Sequence, residues 1–130
     1  MDMKKSILIS VLLISAWVIF SNNSIAQDKD TQKSVLVINA IVNKEHKQEL
    51  QGYLSQMMQI FTENGGNPLG RYKTFEKIKG SQAPEMIALV LFENPETIHK
   101  MLEGDEYKNL SELRERVFSD LKIVICTELN

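Results

Sequence analysis

The stretch Met86-Ile87-Ala88-Leu89-Val90-Leu91-Phe92-Glu93-Asn94-Pro95 decides the fold of this chain. A short, uninterrupted apolar run closed by a charge has the length of a strand rather than of a helix, and fits a strand with an apolar environment on both faces. Asn94-Pro95 then opens a helix, because asparagine can accept a bond from the free N–H groups and proline suits the first helical turn. Ile98, Met101 and Leu102 form the apolar face of that helix. Gly104-Asp105 interrupts it, glycine ending one segment and aspartate capping the next, and Tyr107, Leu110, Leu113 and Val117 continue the stripe. Leu121 to Leu129 reads as the last strand, with Leu121, Ile123 and Ile125 alternating against Lys122, Val124 and Cys126.

Upstream the same order occurs once more. Val35 to Val42 is apolar except for Asn39 and rich in β-branched residues, as in a strand buried on both faces. Asn43 can cap the next element. Leu50, Tyr53, Leu54, Met57, Met58 and Phe61, three and four apart, make one helical stripe. Asn64-Gly65-Gly66 ends it, since glycine takes the left-handed conformation that closes a helix, and Pro68 prevents resumption. Gly70 to Ile78 carries Arg71, Lys73 and Lys77 and reads as an edge strand whose charges discourage unwanted pairing. Gly80 to Pro84 is a turn.

The order β-α-β-β-α-β predicts an α+β domain, residues 34–130: a four-stranded antiparallel sheet with two helices on one face, the ferredoxin-like arrangement. The two most apolar strands belong in the middle and the charged ones at the edges. Helices on one face leave the other face of the central strands bare. An apolar face of that size marks an interface, so a homodimer is expected, its two sheets curving around a shared interior; the alternative is a monomer with an apolar ligand groove.

Ahead of this domain, Lys4 and Lys5 precede a 14-residue apolar run from Ile7 to Phe20, a short polar stretch and the triplet Ser24-Ile25-Ala26. These are the parts of a secretory signal peptide, residues 1–26. The run spans about 21 Å as a helix, short of the roughly 30 Å hydrocarbon core, so cleavage rather than stable membrane anchoring is expected. Residues 27–33 read as a flexible lead-in. The working protein is therefore expected outside the cytoplasm, in a periplasm or the extracellular medium. Loss of Asp2, Lys4 and Lys5 takes the formal charge from −2 to −3. A mildly acidic chain is not a nucleic-acid binder by charge. Cys126 is the only cysteine, so no internal disulfide is available, and its apolar neighbours predict a buried, inert thiol.

Few residues offer chemistry. His46 and His99 are the only side chains whose ordinary pKa lies near neutrality. Glu96, His99 and Glu103 share a helix face, but one such element is too little for a metal site, and a solvated face with no metal is expected. Asn39 is the polar exception in an apolar strand; its amide either finds partners within the fold or orients a ligand. Arg71 can hold a carboxylate or phosphate in bidentate fashion, or simply protect the sheet edge. Period-two alternation puts Tyr72, Thr74 and Glu76 on one side of their strand, facing the interior. Tyr107 packs under its helix with its hydroxyl at the rim.

Several short motifs then carry a resemblance. Asn64-Gly65-Gly66, Leu69-Gly70-Arg71, Glu76, Gly80, Pro84 ahead of an apolar strand, and Gly104-Asp105-Glu106-Tyr107-Lys108-Asn109-Leu110 leading to Leu113-Arg114 resemble the domain-of-unknown-function 1330 family of the dimeric α/β-barrel superfamily. The resemblance implies the fold and the dimer and no settled activity. Relatives in the wider superfamily include small monooxygenases and haem degraders. The latter resemble this chain in an Asn on the first strand, where Asn39 sits, and a His on the second helix, where His99 sits. They also use a tryptophan, and Trp17 leaves with the leader, so no cofactor is expected. The expected function is binding of a small, partly apolar ligand within each subunit of an exported dimer. The alternative is a cofactor-independent enzyme of the monooxygenase or isomerase type, with Asn39, His99 or Tyr107 positioning the substrate.

Overall fold

The computed structural model describes residues 32–130. The proposed leader, and the lead-in as far as residue 31, lie outside the described residues. The elements run β1 (Ser34–Val42), a 3-10 turn (Lys44–His46), α1 (Lys47–Glu63), β2 (Asn67–Lys73), β3 (Met86–Phe92), α2 (Pro95–Glu103), α3 (Asp105–Lys108), α4 (Ser111–Val117) and β4 (Phe118–Thr127). The strands form one antiparallel sheet in the order β2-β3-β1-β4. The two apolar strands occupy the centre and the charged strands the edges, in the ferredoxin-like arrangement.

Strand parity sorts the side chains. Leu36, Ala40, Val90 and Phe92 face the helices and meet Tyr53, Met57, Ile60 and Phe61 of α1, Ile98 and Met101 of α2, and Val117 of α4. Phe92 is 1% exposed and Ile98 fully buried; burying side chains of this kind contributes about 1.5–3 kcal/mol each. Phe61 meets Phe92 edge to face at 6.4 Å, tying α1 to the sheet. On the opposite parity, Val35 pairs with Leu91 and Cys126, Val37 with Leu89 and Val124, and Asn39 with Ile87 and Lys122. These side chains point away from the helices, and the apolar ones stay half-exposed at the middle of the sheet.

The caps act largely as the sequence predicts. Asn43 Oδ1 accepts from Glu45 N at 3.1 Å and Asn94 Oδ1 from Thr97 N at 2.9 Å. After α1 the chain reverses at Gly65, whose φ of +78° strains any residue with a Cβ. Gly66 N then donates to Phe61 O at 2.7 Å. A Cβ on Gly66 would fall 2.7 Å from Phe92 Cζ and 2.8 Å from Phe61 O, so this position also requires glycine, by close approach.

Four expectations are corrected. The second strand covers Asn67–Lys73 rather than Gly70 to Ile78. Its partner β3 begins only at Met86, opposite Lys73, and Pro84 just ahead of it has no N–H for a ladder. Beyond Lys73 the pairing ends with Thr74 N, which donates to Glu85 O at 3.1 Å, and Phe75 and Ile78 stand 100% and 85% exposed. The last strand begins at Phe118, directly after α4, and ends at Thr127. At the break between α2 and α3 it is Gly104, with extended backbone, that caps both segments, while Asp105 is already helical. Cys126 is exposed, not buried: it points away from the helices near the end of an edge strand, where alternation and position both deny it cover.

Candidate functional site

A cavity of about 390 Å³ runs between α1 and the helix-facing side of the sheet. It crosses all four strands. Pro68, Leu69 and Arg71 of β2 stand at one end, followed by Met86, Ala88 and Val90 of β3, Leu36 and Ile38 of β1, and Phe118 and Ile123 of β4. The α1 residues Tyr53, Leu54, Met57, Met58 and Phe61 roof it, with Leu102 and Tyr107 beside them. Met58, 44% exposed, and Leu69, 48% exposed, mark the mouth at the β2 edge. Leu69 is the extra residue of a bulge, since the β2–β3 register shifts between Pro68 and Gly70. Bulges re-aim side chains beside sites, and here Pro68, Leu69 and Arg71 all reach the lining.

Two residues of the lining, Tyr53 and Tyr107, share one polar partner, Arg114. The Tyr53 ring packs edge to face on Phe118, centroids 5.3 Å apart. Arg114 Nε donates to the Tyr53 hydroxyl at 3.0 Å, and Arg114 Nη2 donates to the Tyr107 carbonyl oxygen at 2.8 Å. The same guanidinium lies over the Tyr107 ring, 3.6 Å from its centre. One arginine therefore joins α1 to α3 and fixes both tyrosines that line the cavity. Burial pushes the Tyr53 phenol above its ordinary pKa, and the hydrogen bond and charge of Arg114 oppose that rise without cancelling it. The phenol remains protonated across the physiological range.

The structure divides the six residues singled out in the sequence among three places. Arg71 and Tyr107 line the cavity. Asn39 and Tyr72 lie on the opposite face of the sheet, both paired with Ile87, and the Tyr72 ring folds over Gly70, where a Cβ would fall 2.5 Å from its hydroxyl. Glu76 and His99 are exposed, the first in the segment between β2 and β3 and the second on α2. The alternation that put Tyr72, Thr74 and Glu76 together lapses because the strand stops at Lys73; the Thr74 hydroxyl instead donates to the Pro84 carbonyl. Among the described residues, no three His, Cys, Asp or Glu side chains gather as metal ligands. His46 belongs to a surface chain, with its Nδ1 2.8 Å from Glu49, which also meets Arg116 at 3.3 Å. Arg116 and then His46 hold the Glu49 carboxyl below its usual range.

Tyr53 and Arg114 are the site residues that sequence reasoning missed. Tyr53 was one member of an apolar stripe, and Arg114 one of the charges on the last helix. A signal was present: in the sequence, where one continuous helical stripe is read, Tyr107 and Arg114 are seven apart, the spacing of one helix face, and an aromatic and a guanidinium so placed can stack.

The comparisons agree with this architecture. A protein of unknown function from Rhodopseudomonas palustris superimposes with a TM-score of 0.62 at 10% identity, covering 89% of this chain and 93% of its own. A Dabb family protein with a ferredoxin-like fold from Mesorhizobium loti gives 0.59 at 9% identity, over 76% of this chain and 99% of its own. A protein from Nitrosomonas europaea whose name proposes an antibiotic biosynthesis monooxygenase gives 0.51 at 8% identity, over 77% and 92%. Identities this low establish the fold alone. No curated protein matches the chain. The model of one family, described as a domain of unknown function, DUF1330, matches residues 34–128, from the first residue of β1 to just past the end of β4. With its sheet order, its paired glycines after α1 and its Gly104-Asp105 break all falling within that match, the chain belongs to the DUF1330 family.

Proposed function

We propose that the mature protein is an exported homodimer that binds a small, partly apolar molecule in the cavity of each subunit. The cavity carries this reading. Its volume of about 390 Å³ falls in the range of small-molecule sites, and such sites combine apolar walls with a few fixed polar groups. Here the walls are aliphatic and aromatic, and the polar groups are Tyr53 within and Arg71 at the mouth. Export rests on the leader, residues 1–26. The dimer rests on the bare sheet face, where Val35, Val37, Leu89, Leu91 and Val124 form a continuous apolar surface through the paired strands.

Native mass spectrometry of the protein purified from the envelope fraction of its host tests all three parts. The expected species is a dimer of cleaved chains carrying additional mass in each subunit. A bare monomer that retains its leader overturns the reading.

A second reading, a cofactor-independent enzyme of the monooxygenase or isomerase type, draws support from the name of the Nitrosomonas europaea neighbour and from the Tyr53 hydroxyl, a buried proton donor held beside the cavity. Once a ligand is in hand, retained affinity with lost turnover in Tyr53→Phe favours this enzyme reading. Loss of affinity alone favours the binder.

A further inference from the structure

We infer that the ligand carries a neutral carbonyl oxygen, and that the Tyr53 hydroxyl donates the hydrogen bond that orients it, with Arg114 holding that hydroxyl in place. This inference rests on the cavity being a ligand site.

The argument begins with the hydrogen-bond inventory. A tyrosine hydroxyl has one proton to donate and lone pairs that accept. Arginine only donates, so the bond of 3.0 Å from Arg114 Nε occupies a lone pair and leaves the proton unused. Among the described residues the hydroxyl makes no second hydrogen bond, although Tyr53 is only 5% exposed. Arg114 is not part of the cavity lining, whereas Tyr53 is. On this inference the unused proton is directed to the cavity, the side that Arg114 leaves open. Leu36, Ile38, Phe61 and Val90 of the walls carry no acceptor, and the lining groups that do, the Tyr107 hydroxyl and the methionine sulfurs, make no hydrogen bond with Tyr53. A buried donor without a partner is costly, and an oxygen on an occupant removes that cost.

Charge selects among oxygen acceptors. A carboxylate or phosphate drawn to this depth would lose its hydration. Arg114 does not line the cavity, and its Nε and Nη2 are engaged with Tyr53 and with the Tyr107 carbonyl. Arg71 lines the space but is an exposed residue of the β2 edge. A neutral carbonyl gains the Tyr53 bond without that cost. Arg114 also polarises the hydroxyl it donates to, which strengthens the bond that the hydroxyl in turn donates.

The test uses acetophenone and ethylbenzene, similar in size and differing in the carbonyl, titrated into the purified protein and into Tyr53→Phe. Phenylalanine keeps the ring that packs on Phe118. The ratio of acetophenone affinity to ethylbenzene affinity is expected to fall about tenfold in the variant, the loss of one buried hydrogen bond. Infrared difference spectra of acetophenone bound to the unaltered protein give an independent readout, in which the carbonyl band moves to lower wavenumber than in a hydrocarbon solvent. An unchanged ratio, or a carbonyl band at its hydrocarbon position, overturns this inference and leaves the cavity reading standing. Failure of both compounds to bind the unaltered protein counts against the cavity reading and removes this inference with it.

Discussion

The guanidinium of Arg114 lies 3.6 Å from the centre of the Tyr107 ring, close enough that the two planar groups act as one packed unit. Arg114 also sits 5.8 Å from the Tyr53 ring and bonds its hydroxyl, so α1, α3 and α4 meet through a single side chain. Lysine can supply the charge but neither the plane nor the fork of donors. Arg114→Lys is therefore expected to lose the stack and at least one of two directed bonds, lowering stability by about 2 kcal/mol. A shift in the urea midpoint with an unchanged slope checks it. A variant as stable as the parent would mean that Arg114 contributes nothing beyond its charge.

The raised pKa of Tyr53 has a consequence at alkaline pH. Below the ordinary tyrosine value of 10.0, folded and unfolded chains both hold the proton and stability is undiminished. Above it the unfolded chain releases its proton first, so stability falls as pH rises toward the folded-state pKa. Tyr53→Phe should remove this part of the alkaline loss. Ultraviolet titration of the folded protein should also lose its late-ionising phenol in that variant. Arg114→Met should delay the same ionisation further, since Arg114 is what draws the pKa back down.

The two glycines after α1 are needed for different reasons, and alanine should separate them. At Gly65 the cost is the left-handed backbone alone, since a Cβ there meets nothing within 4 Å; about 1 kcal/mol is expected for Gly65→Ala. At Gly66 a Cβ collides with Phe61 O and with the Phe92 ring, which is itself in the core. Gly66→Ala should cost about 2 kcal/mol or more, the range of overpacking. Thermal melting of the pair gives the order: Gly66→Ala melts lower than Gly65→Ala.

The contrast between these glycines and the site residues indicates what the sequence could disclose. Strand order followed from the apolar runs at Val35–Val42 and Met86–Phe92, because the most apolar strands belong in the middle of a sheet and the charged ones at its edges. Gly65 and Pro95 marked helix ends because their backbone preferences are local. Where β2 stops was not local. It depends on where β3 begins, so the reading that carried Tyr72, Thr74 and Glu76 along one face failed at Lys73. The site was only half legible for the same reason. Tyr107 and Arg71 drew notice as isolated polar residues, whereas Tyr53 becomes distinctive only when Arg114, distant in sequence, meets its hydroxyl. Asn39 was conspicuous by type, yet strand parity turns it from the cavity.

Placement away from the cavity makes His99 and Glu76 useful controls. Both are exposed, and neither touches the lining. His99→Ala and Glu76→Gln should each change stability by less than about 0.5 kcal/mol. Neither should alter the affinity of acetophenone measured by calorimetry. A marked loss of affinity in His99→Ala would instead move the site to the outer side of α2.

Ala88 offers the converse experiment. It lines the cavity from the central strand β3, opposite Ile38 in the ladder with β1 and opposite Arg71 in the ladder with β2. Its small side chain leaves space that a larger apolar one can occupy. Ala88→Leu adds three carbons into that space without placing a polar atom or altering the strand. Filling a void restores dispersion contacts that the walls lack, so stability in the absence of ligand is expected to rise by about 0.5–2 kcal/mol. The same atoms take the room a ligand needs, and binding of both acetophenone and ethylbenzene should weaken together. The two effects have one cause, so they must appear in the same variant. Higher stability with unchanged affinity for both compounds would show that the ligand lies elsewhere, and lower stability would show that this wall is already packed.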